Sequence, residues 1–234
     1  MSDTATENST TLRFFADWLD AGGARVGQIA ILPRGTDGDG RAKYRLCHRD
    51  DADEAQNATP ATLERYHRAD DALEISKSNA RGDYRPLKSS PDLRRGWYLA
   101  LTGAAAVREA LDFFHPAMIG SFFRHRDGAL RTVPLRQTLE RQTGMYRFAR
   151  NISPAGAQAL IREHCDSTRG CLKKILWPVS ADEPIASLPP EKLDPAAVAA
   201  GEMPLLCNEA CHLLVAGARL AAKREAAAAS EGDS

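Results

Sequence analysis

Leu12, Phe15, Trp18 and Leu19 recur at helical spacing in LRFFADWLDAGG, and Gly22-Gly23 ends the run, so the pattern predicts a helix there. Residues 1–10, rich in Ser, Thr and Asn, read as a disordered tail before it. RVGQIAIL and AKYRLCHRDD read as strands joined across PRGTDGDGR in a hairpin with a long turn. TPATLERYHRADDALEISKSNARG predicts a helix to about Ile75, with Thr59 as its cap and Pro60 at the first helical position.

A second stretch opens among turn residues around Pro91. GWYLAL reads as a strand, and GAAAVREALDFFHP as an amphipathic helix closed by His115-Pro116. AMIGSFFRHRDGALRTV fits either a strand with a turn at Asp127-Gly128 or a short helix, and periodicity does not separate the two. PLRQTLERQTGMYRFAR is helical, with Pro134 near its start. Ser153-Pro154 begins a last stretch: a helix through AGAQALIREHC, a break at Gly170, then CLKKILW. The Pro- and Ala-rich PVSADEPIASLPPEKLDPAAVAAGEMP reads as a packed irregular loop, and a final helix runs from about Asn208 to Ala228.

Helices and strands do not alternate strictly, which fits an α+β fold better than a doubly wound sheet. The expected segments are a tail at 1–10, an N-terminal α+β segment at 11–84, a small mixed domain at 85–150, a mainly helical four-cysteine domain at 151–228 and a tail at 229–234.

Composition narrows the partners. The 31 basic and 31 acidic residues cancel, so no overall field draws nucleic acid or an anionic membrane. The first residues lack the basic and apolar regions of a signal peptide, and no apolar run approaches the ~20 residues of a spanning helix. The expected location is the cytoplasm. There thiols stay reduced, and clustered cysteines hold metal or do chemistry rather than pair as disulfides.

Four of the five cysteines form two pairs: Cys165 and Cys171 with five residues between them, then, thirty-five residues on, Cys207 and Cys211 with three between them. If both members of the second pair are helical, they share one face about 6 Å apart. Cys165 closes one predicted helix and Cys171 opens the next, with Gly170 folding both thiols inward. A helix N-terminus, Arg169, Lys173 and Lys174 offset the charge of four thiolates, and the N–H groups of Asn208 to Ala210 stand ready to donate to cluster sulfur. The spacing is neither that of a zinc knuckle nor that of a bacterial ferredoxin. On the residues alone, three readings stand: an iron–sulfur cluster on Cys165, Cys171, Cys207 and Cys211, a Zn2+ ion on the same four, or four small buried hydrophobes. Cys47 reads as a plain strand residue. His164 and His212 each adjoin a cysteine but point about 100° away on a helix, as neighbours rather than ligands.

YRPLKSSPDLRRGW, LDFFHPAMIGSF, PLRQTLERQTGMYR, CLKKILW and MPLLCNEAC resemble a two-domain module named after Deinococcus proteins, a stabilising domain followed by a [4Fe–4S]-binding domain. The resemblance covers about Asp83 to Arg219 and implies that Cys165, Cys171, Cys207 and Cys211 ligate a [4Fe–4S] cluster. In that family the module follows a CbiX-type chelatase region, the kind that inserts metal into sirohydrochlorin. Residues 1–84 are too few for the usual chelatase lobes, so the resemblance implies an accessory protein for cobalamin or siroheme-type tetrapyrrole synthesis, working with a separate chelatase or redox partner.

Arg136, Arg141, Arg147 and Arg150, with Arg94, Arg95 and Trp97, read either as an anion-binding face for a polycarboxylated tetrapyrrole or an acidic partner, or as solvated surface. No hydrolase, zincin or dinucleotide motif is present, so no catalytic residue is assigned. The expected function is electron transfer or cluster-bearing support. The alternatives are a non-enzymatic interaction module with a structural four-cysteine zinc site, and a thiol redox protein using Cys207 and Cys211.

Overall fold

The computed structural model describes residues 2–166 and 170–232. The chain divides into two compact units, Met1–Ala129 with Val198–Leu205, and Leu130–Ala197 with Leu206–Ser234. The described elements of the first 129 residues are α1 (Ser2–Asp20), β1 (Arg25–Val26), β2 (Ile29–Thr36), β3 (Ala42–His48), α2 (Ala52–Gln56), β4 (Glu64–Tyr66), α3 (Asp71–Lys77), β5 (Trp97–Thr102), α4 (Ala104–Phe114) and α5 (Met118–Arg126). Beyond them lie α6 (Leu135–Glu140), a 3-10 segment (Gly144–Asn151), α7 (Pro154–Cys165), β6 (Lys174–Ile175), α8 (Pro190–Leu193), β7 (Glu202–Met203), β8 (Leu206–Cys207) and α9 (His212–Gly232). The class is α+β, as expected.

The first unit is a sheet in the order β4-β5-β3-β2-β1-β7. The predicted hairpin forms β2 and β3, and the Asp37 carboxylate closes its turn by accepting from the N–H groups of Asp39 and Arg41 at 2.9 and 2.8 Å. β5 adds antiparallel to β3, burying Trp97 and Leu99, and Trp97 stacks on Phe114 of α4 with ring centroids 5.1 Å apart. β7, from far along the sequence, pairs parallel with β1. Its entry requires a glycine: Gly201 has φ of 74°, and a Cβ there would meet the Gly22 carbonyl oxygen at 2.7 Å.

Several expected boundaries move. α1 begins at Ser2, so residues 2–10 belong to the first helix rather than to a tail. The helix expected over 59–75 is replaced by β4 and the shorter α3, because Glu64–Tyr66 pairs parallel with β5 and completes the sheet edge. The stretch left open between strand and helix is helical, as α5. The expected division between 84 and 85 runs through one sheet, since β3 and β5 share a ladder. Residues 130–150 join the second unit because Leu135, Leu139 and Ala149 lie in its core.

That core also holds Leu160, Ile161 and Cys165 of α7, Trp177 and Val179 after β6, and Leu214, Val215 and Ala218 of α9. Ser153 caps α7 by accepting from the Gly156 N–H at 2.9 Å, with Pro154 in the first turn. Glu225 of α9 accepts from both the N–H and the hydroxyl of Ser153 at 2.8 Å, tying the far end of α9 to the start of α7. The two helices approach closely at Gly217, where a Cβ would lie 2.7 Å from Leu160 Cδ1 and 2.8 Å from His164 Nε2. The last helix runs four residues past its expected end at Ala228, to Gly232.

Candidate metal centre

Cys165 is the last residue of α7 and is buried. The chain then doubles back, with the N–H groups of Gly170 and Cys171 both donating to the Asp166 carbonyl at 2.7 and 3.2 Å. Gly170 is there for space rather than for φ. A Cβ would lie 2.6 Å from the His164 carbonyl carbon and run into its oxygen. Cys171 does not open a helix; it leads into β6, which pairs parallel with β8 in the register Lys174 with Leu206 and Ile175 with Cys207.

That pairing overturns the expected helical turn from Cys207 to Cys211. Cys207 ends a strand, and Cys211 immediately precedes α9, its carbonyl accepting from the Val215 N–H at 3.1 Å. The two thiols therefore come from a strand end and a helix N-terminus instead of one helix face.

The four thiols share one electrostatic neighbourhood. Burial pushes the Cys165 thiol up, and Cys171, Cys207 and Cys211 each push the same way. Cys207 is also raised, first by burial; the Trp177 indole N–H and Lys173 oppose the rise, while Cys171 and Cys211 add to it. Among the described residues no three His, Cys, Asp or Glu side chains gather into a single-ion site. A tetrahedral zinc holds every sulfur about 2.3 Å from one point, whereas a four-iron cluster offers a separate corner to each thiolate. Four thiols in one neighbourhood match, in kind and number, the donors that a four-iron cluster takes.

Two neighbours escape a sequence reading. Trp177 Nε1–H donates to Cys207 Sγ at 3.2 Å. Lys192 of α8 is 4% exposed, and its ammonium donates to the Cys171 carbonyl. Among the described residues no carboxylate lies within ion-pair reach of it. Burial lowers its pKa, while the thiols of Cys171, Cys165 and Cys207 work against that. A buried cation is costly unless an anion faces it. With the cluster bound, its sulfur and the cysteine thiolates would supply that anion. Neither residue carries a motif; only its position between cysteine-bearing segments, in CLKKILW and in the Pro-rich loop, hints at a role.

Of the cations expected to offset the thiolates, Arg169 lies outside the described residues, and Lys173 acts on Cys207. Lys174 turns away to the carbonyls of Glu191 and Ala197 at 2.5 and 3.0 Å. His164 packs beside Gly217 and faces Glu163 at 4.0 Å, and His212 is exposed at the start of α9. Cys47 is buried in β3 of the first unit, between Ala30 and Tyr98.

The arginines fall into two groups. In the first unit Arg94 donates to Tyr66 Oη at 2.7 Å and Arg95 pairs with Asp50, while Trp97 is buried. In the second, Arg136 donates to the Ile152 carbonyl at 2.5 Å and Arg141 pairs with Glu209. Arg147 lies over the Phe148 ring, and Arg150 is exposed.

Comparison with known proteins agrees with this geometry. Residues 12–126 match the family model of the DR2241 stabilising domain, and residues 127–220 match that of the 4Fe-4S iron–sulfur cluster binding domain. No curated protein gives a significant match. Among solved structures, DR2241 from Deinococcus radiodurans, a multi-domain protein with structural similarity to chelatases and two additional novel domains, superposes with a TM-score of 0.70 over 95% of this chain at 24% identity. The chain spans 42% of the length of that protein, and at that identity the likeness speaks for the fold. The family boundary at 126/127 falls close to the division at 129/130 between the two units. The chain is thus a DR2241-type stabilising domain followed by a 4Fe-4S cluster binding domain, and its cofactor is a [4Fe–4S] cluster.

Proposed function

We propose that Cys165, Cys171, Cys207 and Cys211 ligate the [4Fe–4S] cluster and that the protein carries single electrons in support of metal insertion into a tetrapyrrole, as in cobalamin or siroheme synthesis. The observation that supports the ligand assignment is that Cys171, Cys207 and Cys211 all act on the buried thiol of Cys165, and that three of the four thiols, Cys165, Cys171 and Cys207, also act on the buried ammonium of Lys192. Cys47, the remaining cysteine, lies in the other unit. Four-thiolate ligation leaves no iron open to substrate, which favours electron transfer over substrate activation. The donor at Trp177 and the cation at Lys192 both favour the more negative, reduced state of such a centre.

The tetrapyrrole link rests on the chelatase-like character of DR2241, of which this chain corresponds to less than half. The partner in this reading is a separate chelatase or the redox protein that serves it. Potentiometric titration followed by visible and EPR spectroscopy tests the electron-transfer role. The reading predicts a reversible one-electron couple. A cluster that is not reduced, or falls apart on reduction, would leave it a structural part. Adding the holoprotein to a sirohydrochlorin chelatase tests the link: the rate of metal insertion changes if it holds, and stays the same if it does not.

A further inference from the structure

The 3-10 segment Gly144–Asn151 presents Met145, Tyr146 and Phe148 at 60%, 40% and 41% exposure. Among the described residues six large hydrophobic side chains are this exposed, and half of them fall within these four positions. Contiguous exposed apolar surface marks an interaction site, and Met, Tyr, Phe and Arg are the side chains that protein interfaces favour.

Cations border the same patch. Arg147 and Lys223 lie over the Phe148 ring, 5.0 and 5.9 Å from its centroid, and Arg219 lies over Tyr146 at 5.8 Å. Among the described residues none of Arg147, Arg150, Arg219 and Lys223 has a carboxylate within ion-pair distance. In a chain of zero net charge this is a local positive surface without internal neutralisation.

The patch also adjoins the cluster-binding loop. Arg141, a turn before the segment, pairs with Glu209, which sits between Cys207 and Cys211 and whose carbonyl lies 3.2 Å from Cys207 Sγ. Arg219 is eight residues after Cys211, about 12 Å along α9 at 1.5 Å per residue.

We infer that Met145, Tyr146 and Phe148, with Arg147, Arg150, Arg219 and Lys223, form the docking surface for a small acidic electron-transfer protein that exchanges one electron with the cluster. This rests on the electron-transfer reading above and adds where the partner binds. The partner's carboxylates meet the four cations while its apolar centre covers the exposed side chains. One electron leaves the partner's cofactor and enters the cluster, with no bond made and no proton moved. Single-stranded nucleic acid also favours aromatic and basic surface, but it needs open ring faces to stack on. Here the chain's own cations lie over those faces.

The test is stopped-flow reduction of the full-length holoprotein by reduced plant-type [2Fe–2S] ferredoxin, as the acidic probe, or the reverse reaction where the equilibrium lies that way. Dithionite is the small-reductant control. Arg147→Glu with Lys223→Glu should slow the ferredoxin reaction at least tenfold at low ionic strength, with the difference shrinking in 0.5 M salt, and leave iron content and the dithionite rate unchanged. Met145→Ser should slow the reaction at every salt concentration. Unchanged ferredoxin rates in these variants, with dithionite still effective, would overturn the docking surface alone. Tight binding of a single-stranded oligonucleotide at the patch would also overturn it. A cluster that dithionite fails to reduce would instead overturn the electron-transfer reading, and the docking surface with it.

Discussion

The indole N–H of Trp177, two residues beyond β6, is directed at Cys207 Sγ, 3.2 Å away, and ties this segment to the end of β8. Trp177 is 2% exposed, so this bond is sheltered from water. An N–H donor to cluster sulfur stabilises the reduced state more than the oxidised one, because reduction adds negative charge. Trp177→Phe should keep the cluster and lower its potential. A differential of about 1 kcal/mol corresponds to about 40 mV for one electron. Redox titration of both proteins measures it, and an unchanged potential would count against the bond.

Lys192→Met should act with opposite signs in the two forms of the protein. Without the cluster, a buried ammonium lacking a carboxylate is a cost, and an apolar side chain of similar length should raise stability by about 1 kcal/mol. With the cluster, the ammonium faces an anionic centre, so its loss should lower the potential and speed cluster loss in air. Thermal unfolding of the stripped protein and the decay of the visible absorption of the holoprotein separate the two effects.

Gly170→Ala tests the loop that brings Cys165 and Cys171 together. The added methyl meets the backbone of His164, which cannot swing away as a side chain would. The strain should cost about 1–3 kcal/mol, and iron per chain should fall even though all four proposed ligands remain. Full iron occupancy at unchanged stability would mean the loop closes in another way.

The sequence made the cysteines legible, because four rare residues in two pairs stand out from composition. The helices α4 and α7 and the β2–β3 hairpin were equally plain, since each carries local periodicity with a cap or a turn. Long-range pairing defeated the same reasoning elsewhere. Nothing in Glu64–Tyr66 announces that it lies beside Trp97–Leu99, and the β6–β8 ladder converts the expected helical turn at Cys207 into a strand end. Lys192 and Trp177 were invisible for a related reason. Their roles come from segments that meet only when the unit folds, and a lysine or tryptophan alone gives no signal.

Cys47 provides a test of burial away from the cluster. Burial, with Asp51 adding and Arg45 opposing, pushes its thiol from 9.0 to about 12. A folded-state pKa above the unfolded value gives stability that is whole below pH ~9 and is lost as the pH rises through ~12. Between pH 8 and 10.5 the wild type should therefore lose about 2 kcal/mol more than Cys47→Ala. Urea midpoints at the two pH values give the difference, and equal losses would show that Cys47 ionises as freely in the folded chain as in the unfolded one.

The most direct measurement is iron, acid-labile sulfide and zinc per chain in anaerobically purified protein, with its visible spectrum, for the wild type, the four single Ser variants at Cys165, Cys171, Cys207 and Cys211, and Cys47→Ser. The account predicts about four iron and four sulfide per chain in the wild type and in Cys47→Ser, and a lost or crippled cluster in each of the other four. Stoichiometric zinc without colour, or a cluster that depends on Cys47 and survives the loss of Cys207, would contradict it.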